Sequence, residues 1–368
     1  MDFGVGLMGY PGCWDDAAFA EQHGFTMAGF VDSPLLAADP FTCMALAAGS
    51  TTTMRLGTFI NVPGLRIPAA TAAALAGVHA AAPGRVFFGT GTGFTARLPF
   101  GLKQPVSAAH LRDYATEVRE LLAGSEVIGR LGKAERQIRL KHSDDLRIDP
   151  ANPIPLYVAA DGPKALEVAG EIGDGLITTL QYASGPHDRP DVFANGLALV
   201  RAAATRSGRN FDDAYTIYTN AICVLEPGES VMSPRALAHV GPITATVFHA
   251  YACNPGLADM LPGPYRERIE IYEREVLSRF DRPRELLYQE VHSGHLMYLL
   301  DGEAAVMTEE IIRMLAMVGT AEEIAAQLRD LERVGVKNAS FWLPPRFFRE
   351  TVVAIEERIM PLLEPAIT

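Results

Sequence analysis

The sequence predicts a (β/α)8 (TIM) barrel, and three observations carry that prediction. Short apolar runs alternate with helical patterns along the chain, the order expected of α/β architecture with a parallel sheet. The runs lack strict in/out alternation, which fits strands covered on both faces. Eight strand–helix units spread over 368 residues favour a closed barrel over a doubly wound sheet, the competing architecture.

The elements follow in order. Phe3 to Met8 is a buried strand, Asp15 to His23 a helix, and Met27 to Val31 a second strand running into Asp32. Pro40 to Ser50 is a helix, with Asp39 suited to its N-cap and Pro40 to its first turn. Met54 to Ile60 is the third strand. The Ala-rich stretch Ala69 to Ala82 is a helix closed by Pro83-Gly84. Arg85 to Gly89 is the fourth strand, and His110 to Ala123 the helix after it. Glu126 to Ile148 reads as an excursion with a hairpin. The alternation resumes with strand Pro155 to Ala159, helix Lys164 to Glu171, strand Gly175 to Thr179, helix Asp191 to Ser207 and strand Tyr215 to Leu225. Ala321 to Val334 repeats Ile324, Leu328 and Leu331 at helical spacing and is capped by Gly335. Ala339 to Leu343 is the last strand and Phe347 to Leu362 the closing helix. Residues 226–318 fit no simple unit. They read as a helical insertion between strands seven and eight, so the expectation is one domain over 1–368 with a helical roof.

Composition narrows the function. A net charge of −12 argues against nucleic acid as a partner, because phosphate binding needs a basic face. No apolar run reaches the roughly 20 residues of a membrane span. The start MDFGVGLMGYPG lacks a basic segment followed by a long apolar one, so no signal peptide is expected. Cys13, Cys43, Cys223 and Cys253 are far apart, which fits a reducing cytoplasm and no zinc knuckle. GxSxG, P-loop and HExxH motifs do not occur. An enzyme with a small-molecule site is the remaining default.

In a barrel that site lies at the C-terminal strand ends. There, Ala160-Asp161-Gly162-Pro163-Lys164 joins a strand directly to a helix. Unpaired N–H groups and the helix dipole attract a phosphate, although Pro163 has no N–H to donate. An ordinary βα turn is the competing reading. The run Gly89-Thr90-Gly91-Thr92-Gly93 departs from a dinucleotide fingerprint, because Phe94 stands where a third glycine or alanine is needed. It reads instead as backbone lying close under a flat ligand, or as a plain flexible loop. Asp32 ends a strand, where it can cap the next helix or orient a site. His292 and His295 are spaced i, i+3 with no third ligand visible nearby, so no metal is expected. They are candidates to face a substrate from the insertion.

Several segments together resemble the bacterial luciferase-like superfamily. They are Asp39-Pro40-Phe41, Arg55-Leu56-Gly57-Thr58, Pro63 to Pro68, Ala82 to Gly93, Val158 to Leu166, Ile172 to Gly175 and Val318 to Glu323. Within that superfamily the chain is most similar to the methylenetetrahydromethanopterin reductase-like branch. The resemblance covers nearly all of the chain outside about 226–310.

The resemblance implies a barrel holding FMN or the deazaflavin coenzyme F420 over its strand ends. It places a non-proline cis peptide at Phe59–Ile60, the phosphate near Gly162, Thr178 and Thr179 near phosphate or substrate, and Gly89 and Gly91 against the cofactor. Asp32, Ser33, Thr90, Ala160, Asp161, Pro163 and Lys164 complete the expected cofactor site, with His292 and His295 as candidate catalytic residues. The reading placed first is a two-component monooxygenase that uses reduced FMN from a separate flavin reductase, with O2, on a small apolar organic substrate. The alternatives are an F420-dependent hydride-transfer enzyme and a non-catalytic flavin-binding subunit. A polyanionic F420 tail calls for a basic groove, for which Arg66, Arg97 and Lys103 are candidates. A homodimer is the expected assembly. Sugar-phosphate-oxidising relatives carry His after the strand-two Asp and Glu after the GxG turn. This chain has Ser33 and Phe94 there, so glucose 6-phosphate is not the expected substrate. Phe94, Trp14, Phe59 and Phe100 suggest an apolar pocket.

Overall fold

The computed structural model describes residues 1–363 apart from 94, 103–104, 132–133, 142–147, 150 and 182. Eight parallel strands close on themselves. They are β1 (Asp2–Leu7), β2 (Met27–Phe30), β3 (Arg55–Thr58), β4 (Val86–Gly91), β7 (Leu156–Ala159), β8 (Gly175–Thr178), β9 (Tyr215–Val224) and β11 (Asn338–Trp342). Each pairs with the next, and the circle shuts where β9 pairs with β11 and β11 with β1. The remaining early pair, β5 (Val127–Leu131) and β6 (Ala134–Ile138), is the antiparallel hairpin expected in the excursion after strand four.

Helix starts follow local chemistry. Asp39 caps helix Pro40–Ser50 by accepting from the Thr42 N–H at 2.9 Å, and Pro40 occupies its first turn. Thr320 and Glu323 form a reciprocal capping box at the start of helix Ala321–Arg333. That helix buries Ile324, Leu328 and Leu331, and Gly335 beyond its end sits at φ 112°.

Three apolar cores result. The largest lies between the barrel and its outer helices. A smaller one fills the barrel with Met27, Phe59, Phe87, Tyr157, Ile177 and Ile217, and the third belongs to the segment between β9 and β11.

That segment differs from the helical expectation in two ways. It contains one long helix, Pro234–Cys253, while the charge-rich stretch 266–280 breaks into short turns of helix around Ile269–Glu275. It also ends in a strand, β10 (Ala316–Gly319), which pairs in parallel with residues 221–224 of β9. β9 is ten residues long, so its first half closes the barrel and its second half carries β10. A four-residue apolar run flanked by helices lacks the periodicity that separates strand from helix. Among the described residues no helix is long and apolar enough to cross a membrane.

Candidate functional site

The C-terminal strand ends open into a cavity of about 1150 Å³, whose far wall comes from the segment between β9 and β11. Of the residues predicted for a cofactor, Asp32, Ser33, Phe59, Ile60, Ala160, Asp161, Gly162, Pro163, Lys164 and Thr179 line it. The Phe59–Ile60 peptide is cis.

Gly89, Thr90, Gly91 and Thr178 are not among the lining residues. A side chain on Gly89 would strike the Thr58 carbonyl, and one on Gly91 would meet Ile60 and Ala159. These glycines let strands approach one another. The Thr90 hydroxyl donates to the Asn61 carbonyl at 3.0 Å, and the Thr178 hydroxyl to Asp161 at 2.6 Å. Phe59 supplies the aromatic lining expected of it. Trp14 packs against the main core, Phe100 is exposed, and Phe94 lies outside the described residues.

Asp161 holds the turn after β8 together. It accepts from the Thr178 and Thr179 hydroxyls at 2.6 and 2.7 Å, and from the Thr179 and Leu180 N–H groups at 3.1 and 2.8 Å. Leu180 has φ 55°, a left-handed conformation that a leucine keeps only when its surroundings hold it. Beside this turn, helix Pro163–Ile172 begins without a side-chain cap at Gly162. The Lys164 N–H lies in its first turn, where intrahelical acceptors are lacking, so backbone, dipole and ammonium can converge on an anion.

Asp32 does not cap the following helix; Asp39 does. The Asp32 side chain is fully buried, accepts from Asn61 Nδ2 at 2.8 Å and has Arg66 at 3.6 Å, while its Oδ1 makes no hydrogen bond. Asn61 Oδ1 is likewise buried and unpartnered. Burial pushes the Asp32 carboxyl above its ordinary pKa, against the lowering pull of Arg66 and the Val62 N–H. Asp32 lines the cavity and Asn61 does not, so the unmet Asp32 oxygen is the one that leaves capacity for a polar ligand group.

The basic groove is smaller than expected. Arg66 is tied to Asp39 as well as Asp32, Arg97 donates to the Pro63 carbonyl at 2.9 Å, and Lys103 lies outside the described residues. Among the described lining residues Lys164 is the only Lys or Arg.

The two predicted catalytic histidines separate. His295 lines the cavity; His292 is buried behind it, with Nδ1 at 3.0 Å from the Tyr288 carbonyl and Nε2 unpartnered. Burial first, and then His249, bring the pKa of His292 down to about 4. His249 and Glu303 join this group from positions 46 and 54 residues away from their partners. Sequence reasoning missed both, because nothing local connects them. Trp342, also in the lining, was within reach of the strand-end rule, because it closes the last strand. Among the described residues no group of three or more His, Cys, Asp or Glu side chains is arranged to hold a metal ion.

The site geometry can be set beside known proteins. The chain is 31% identical over 217 residues to the F420-dependent glucose-6-phosphate dehydrogenase of Nakamurella multipartita, covering 55% of this chain and 60% of that one. It is 28% identical over 202 residues to the 5,10-methylenetetrahydromethanopterin reductase of Methanolobus tindarius, covering 53% and 56%. These matches thus span little more than half the length of the curated relatives. Two solved structures share the fold over 99% of this chain. The F420-dependent tetrahydromethanopterin reductase of Methanopyrus kandleri does so at TM-score 0.67, 19% identity and 99% of its own length. The oxygenating constituent of the 3,6-diketocamphane monooxygenase of Pseudomonas putida, in complex with FMN, does so at 0.61, 13% and 99%. The model of the luciferase-like monooxygenase family matches residues 14–338. With that match spanning most of a closed barrel whose strand ends frame a cavity, the chain belongs to the luciferase-like monooxygenase family.

Proposed function

We propose that this protein is a coenzyme F420-dependent hydride-transfer oxidoreductase acting on a small, largely apolar organic substrate. The observation that carries this reading is that curated relatives matched in sequence are named as F420-dependent. The FMN-bound neighbour is 13% identical and speaks only to the fold. The order of the two cofactor readings is therefore reversed from the one drawn from sequence.

The residues present fit such a cofactor. When bound, F420 supplies a ring carbon that accepts or donates hydride. Phe59 and Ile60 offer an apolar surface for a flat ring, and the unmet Asp32 oxygen can take one of its N–H or hydroxyl groups. Gly162 and Lys164 offer the anion site, held in register by Asp161 and the Thr178–Leu180 turn. Ile243 and Leu257 give the opposite side of the cavity an apolar lining for the substrate. Ser33 stands where the resemblance places a histidine in sugar-phosphate-oxidising relatives, which supports a substrate other than glucose 6-phosphate.

Fluorescence titration of the purified protein with F420 and with FMN tests the cofactor. F420 is expected to bind and to be displaced by no stoichiometric amount of FMN. Tight FMN binding with no F420 binding would return the reduced-FMN monooxygenase to first place.

A further inference from the structure

The segment between β9 and β11 builds a buried line of titratable groups that ends at the cavity. Glu303 and His249 are both fully buried, and His249 Nε2 lies 2.7 Å from Glu303 Oε1. The other carboxylate oxygen accepts from the Leu300 N–H at 2.8 Å. On the far side of the same ring, His249 Nδ1 lies 3.2 Å from His295 Nδ1. His295 is 5% exposed and lines the cavity, and its Nε2 makes no hydrogen bond to any described residue. The next residue, Leu296, also lines the cavity and has φ 62°. A non-glycine residue in that region marks a backbone held in place by its packing.

The partners dictate the protons. Glu303 accepts at both oxygens, so His249 Nε2 donates. In the neutral pair, one proton is shared between the facing Nδ1 atoms. If His295 carries it, its Nε2 is a bare lone pair toward the cavity. If His249 takes it, His249 is an imidazolium against the Glu303 carboxylate, and His295 stays neutral by taking a proton at Nε2.

We propose that Glu303, His249 and His295 form a proton relay ending at His295 Nε2, and that the substrate carries a hydroxyl or carbonyl group whose proton this relay takes up or returns. The proposal rests on the hydride-transfer reading and names the substrate class for it. In the oxidative direction the substrate O–H bond breaks and its proton goes to His295 Nε2. The freed electron pair becomes the second C–O bond, and the C–H pair leaves as hydride to the oxidised deazaflavin. The Nδ1 proton of His295 passes to His249, whose new charge faces Glu303. Reduction runs the same transfers backwards. His295 is the catalytic residue; His249 and Glu303 act through it as positioning residues.

Other groups around the relay fit these roles. His292 shares the cluster at 5.0 Å between ring centres from His295, but its Nδ1 faces the Tyr288 carbonyl. Cys253 lies 3.9 Å from His292, and the Tyr272 hydroxyl, unpartnered, senses the Glu303 charge. Behind them Glu273 pairs with Arg284. From the barrel side Asp32 shares the cavity, held by Asn61 and Arg66. Burial first, then His249 and His292, hold the His295 imidazole well below its ordinary pKa, which suits a ring that changes tautomer without becoming charged.

Nitrogen-15 NMR of the histidine side chains in the full-length protein, without cofactor, tests the relay directly. At mildly alkaline pH His295 is expected to be protonated at Nδ1 with Nε2 bare. On acidification its proton should move to Nε2. In Glu303→Gln this switch should be lost, because the carboxylate that faces His249 is gone, and Glu303→Asp should restore part of it. A single His295 tautomer across the range, or a second proton on His295 itself, overturns the relay; this wild-type result stands even if a variant does not fold. With F420 bound and secondary alcohols as substrates, His295→Gln should lower kcat about 10²–10⁴-fold while F420 affinity is unchanged. Wild-type kcat should rise with pH through the switch, because oxidation needs Nε2 bare. Unchanged kcat in His295→Gln overturns the catalytic role. Failure to bind F420 sinks the hydride-transfer reading and the substrate class with it, whereas F420 binding without the tautomer switch sinks the relay alone.

Discussion

At the residue scale, Asp32 shows how a strand-end carboxylate is tuned. Its side chain is fully buried, with Asn61 Nδ2 donating at 2.8 Å and a guanidinium at 3.6 Å. Because burial raises its folded-state pKa, the folded protein binds the proton more tightly than the unfolded chain does. The stability penalty is therefore absent below the ordinary aspartate value of about 3.9. It grows as pH rises from there and is complete above the raised folded-state value. Asp32→Asn keeps an acceptor for Asn61 Nδ2 and adds a donor for the unmet Asn61 Oδ1. It should stabilise the cofactor-free protein at neutral pH by about 1–2 kcal/mol, the scale of an imperfectly paired buried polar group. Urea unfolding at neutral pH and below pH 4 checks this; a gain that persists at the lower pH would rule out the charge as its cause. The sequence placed Asp32 at the site, because strand ends have an address in a barrel. Its partner Asn61 went unread, since the bond spans a neighbouring strand.

At the element scale, barrel strands trade glycine against aromatic rings. Gly57 on β3 stands directly opposite Phe87 on β4, and a Cβ on Gly57 would come within 2.4 Å of Phe87 ring atoms. A Cβ on Gly29 of β2 would likewise come within 2.2 Å of Phe59. Phe59 lines the site, so the space left by Gly29 sets where that ring lies. Phe87 is enclosed among Phe59, Tyr157 and the rest of the barrel interior and has nowhere to move. Gly57→Ala should therefore cost about 1–3 kcal/mol, the usual range for overpacking a filled core. A denaturant midpoint equal to wild type would show that the interior can yield. Strand and helix positions were legible because apolar runs and caps are local signals. β10 was not, because a four-residue strand is specified by the β9 edge that receives it.

At the scale of the whole molecule, a buried arginine is among the side chains that join the segment between β9 and β11 to the barrel, beside the shared backbone of β9. Arg189, 1% exposed at the start of helix Arg189–Arg206, donates to the Arg313 and Ala316 carbonyls at 2.8 and 2.9 Å. It thus ties an outer barrel helix to β10. Arg189→Met would leave both carbonyls unpaired and should destabilise by about 2–4 kcal/mol, the range for losing charge-assisted bonds to buried groups. Because β9 belongs to both units, wild type and variant should each unfold in one transition. Two resolved transitions in calorimetry would show that the segment between β9 and β11 folds independently.

The sequence by itself determined the barrel, the strand ends that frame the cavity, and the placement of Asp32, Phe59, Ile60, Asp161, Gly162 and Lys164 there, because alternation, capping and the strand-end rule act over a few residues. Only the tertiary structure decided that Gly89 and Gly91 serve strand packing, that His295 and not His292 reaches the cavity, and that His249 and Glu303 stand behind it. Those relations are contacts between residues tens of positions apart. A linear sequence carries no signal for them until the chain has closed on itself.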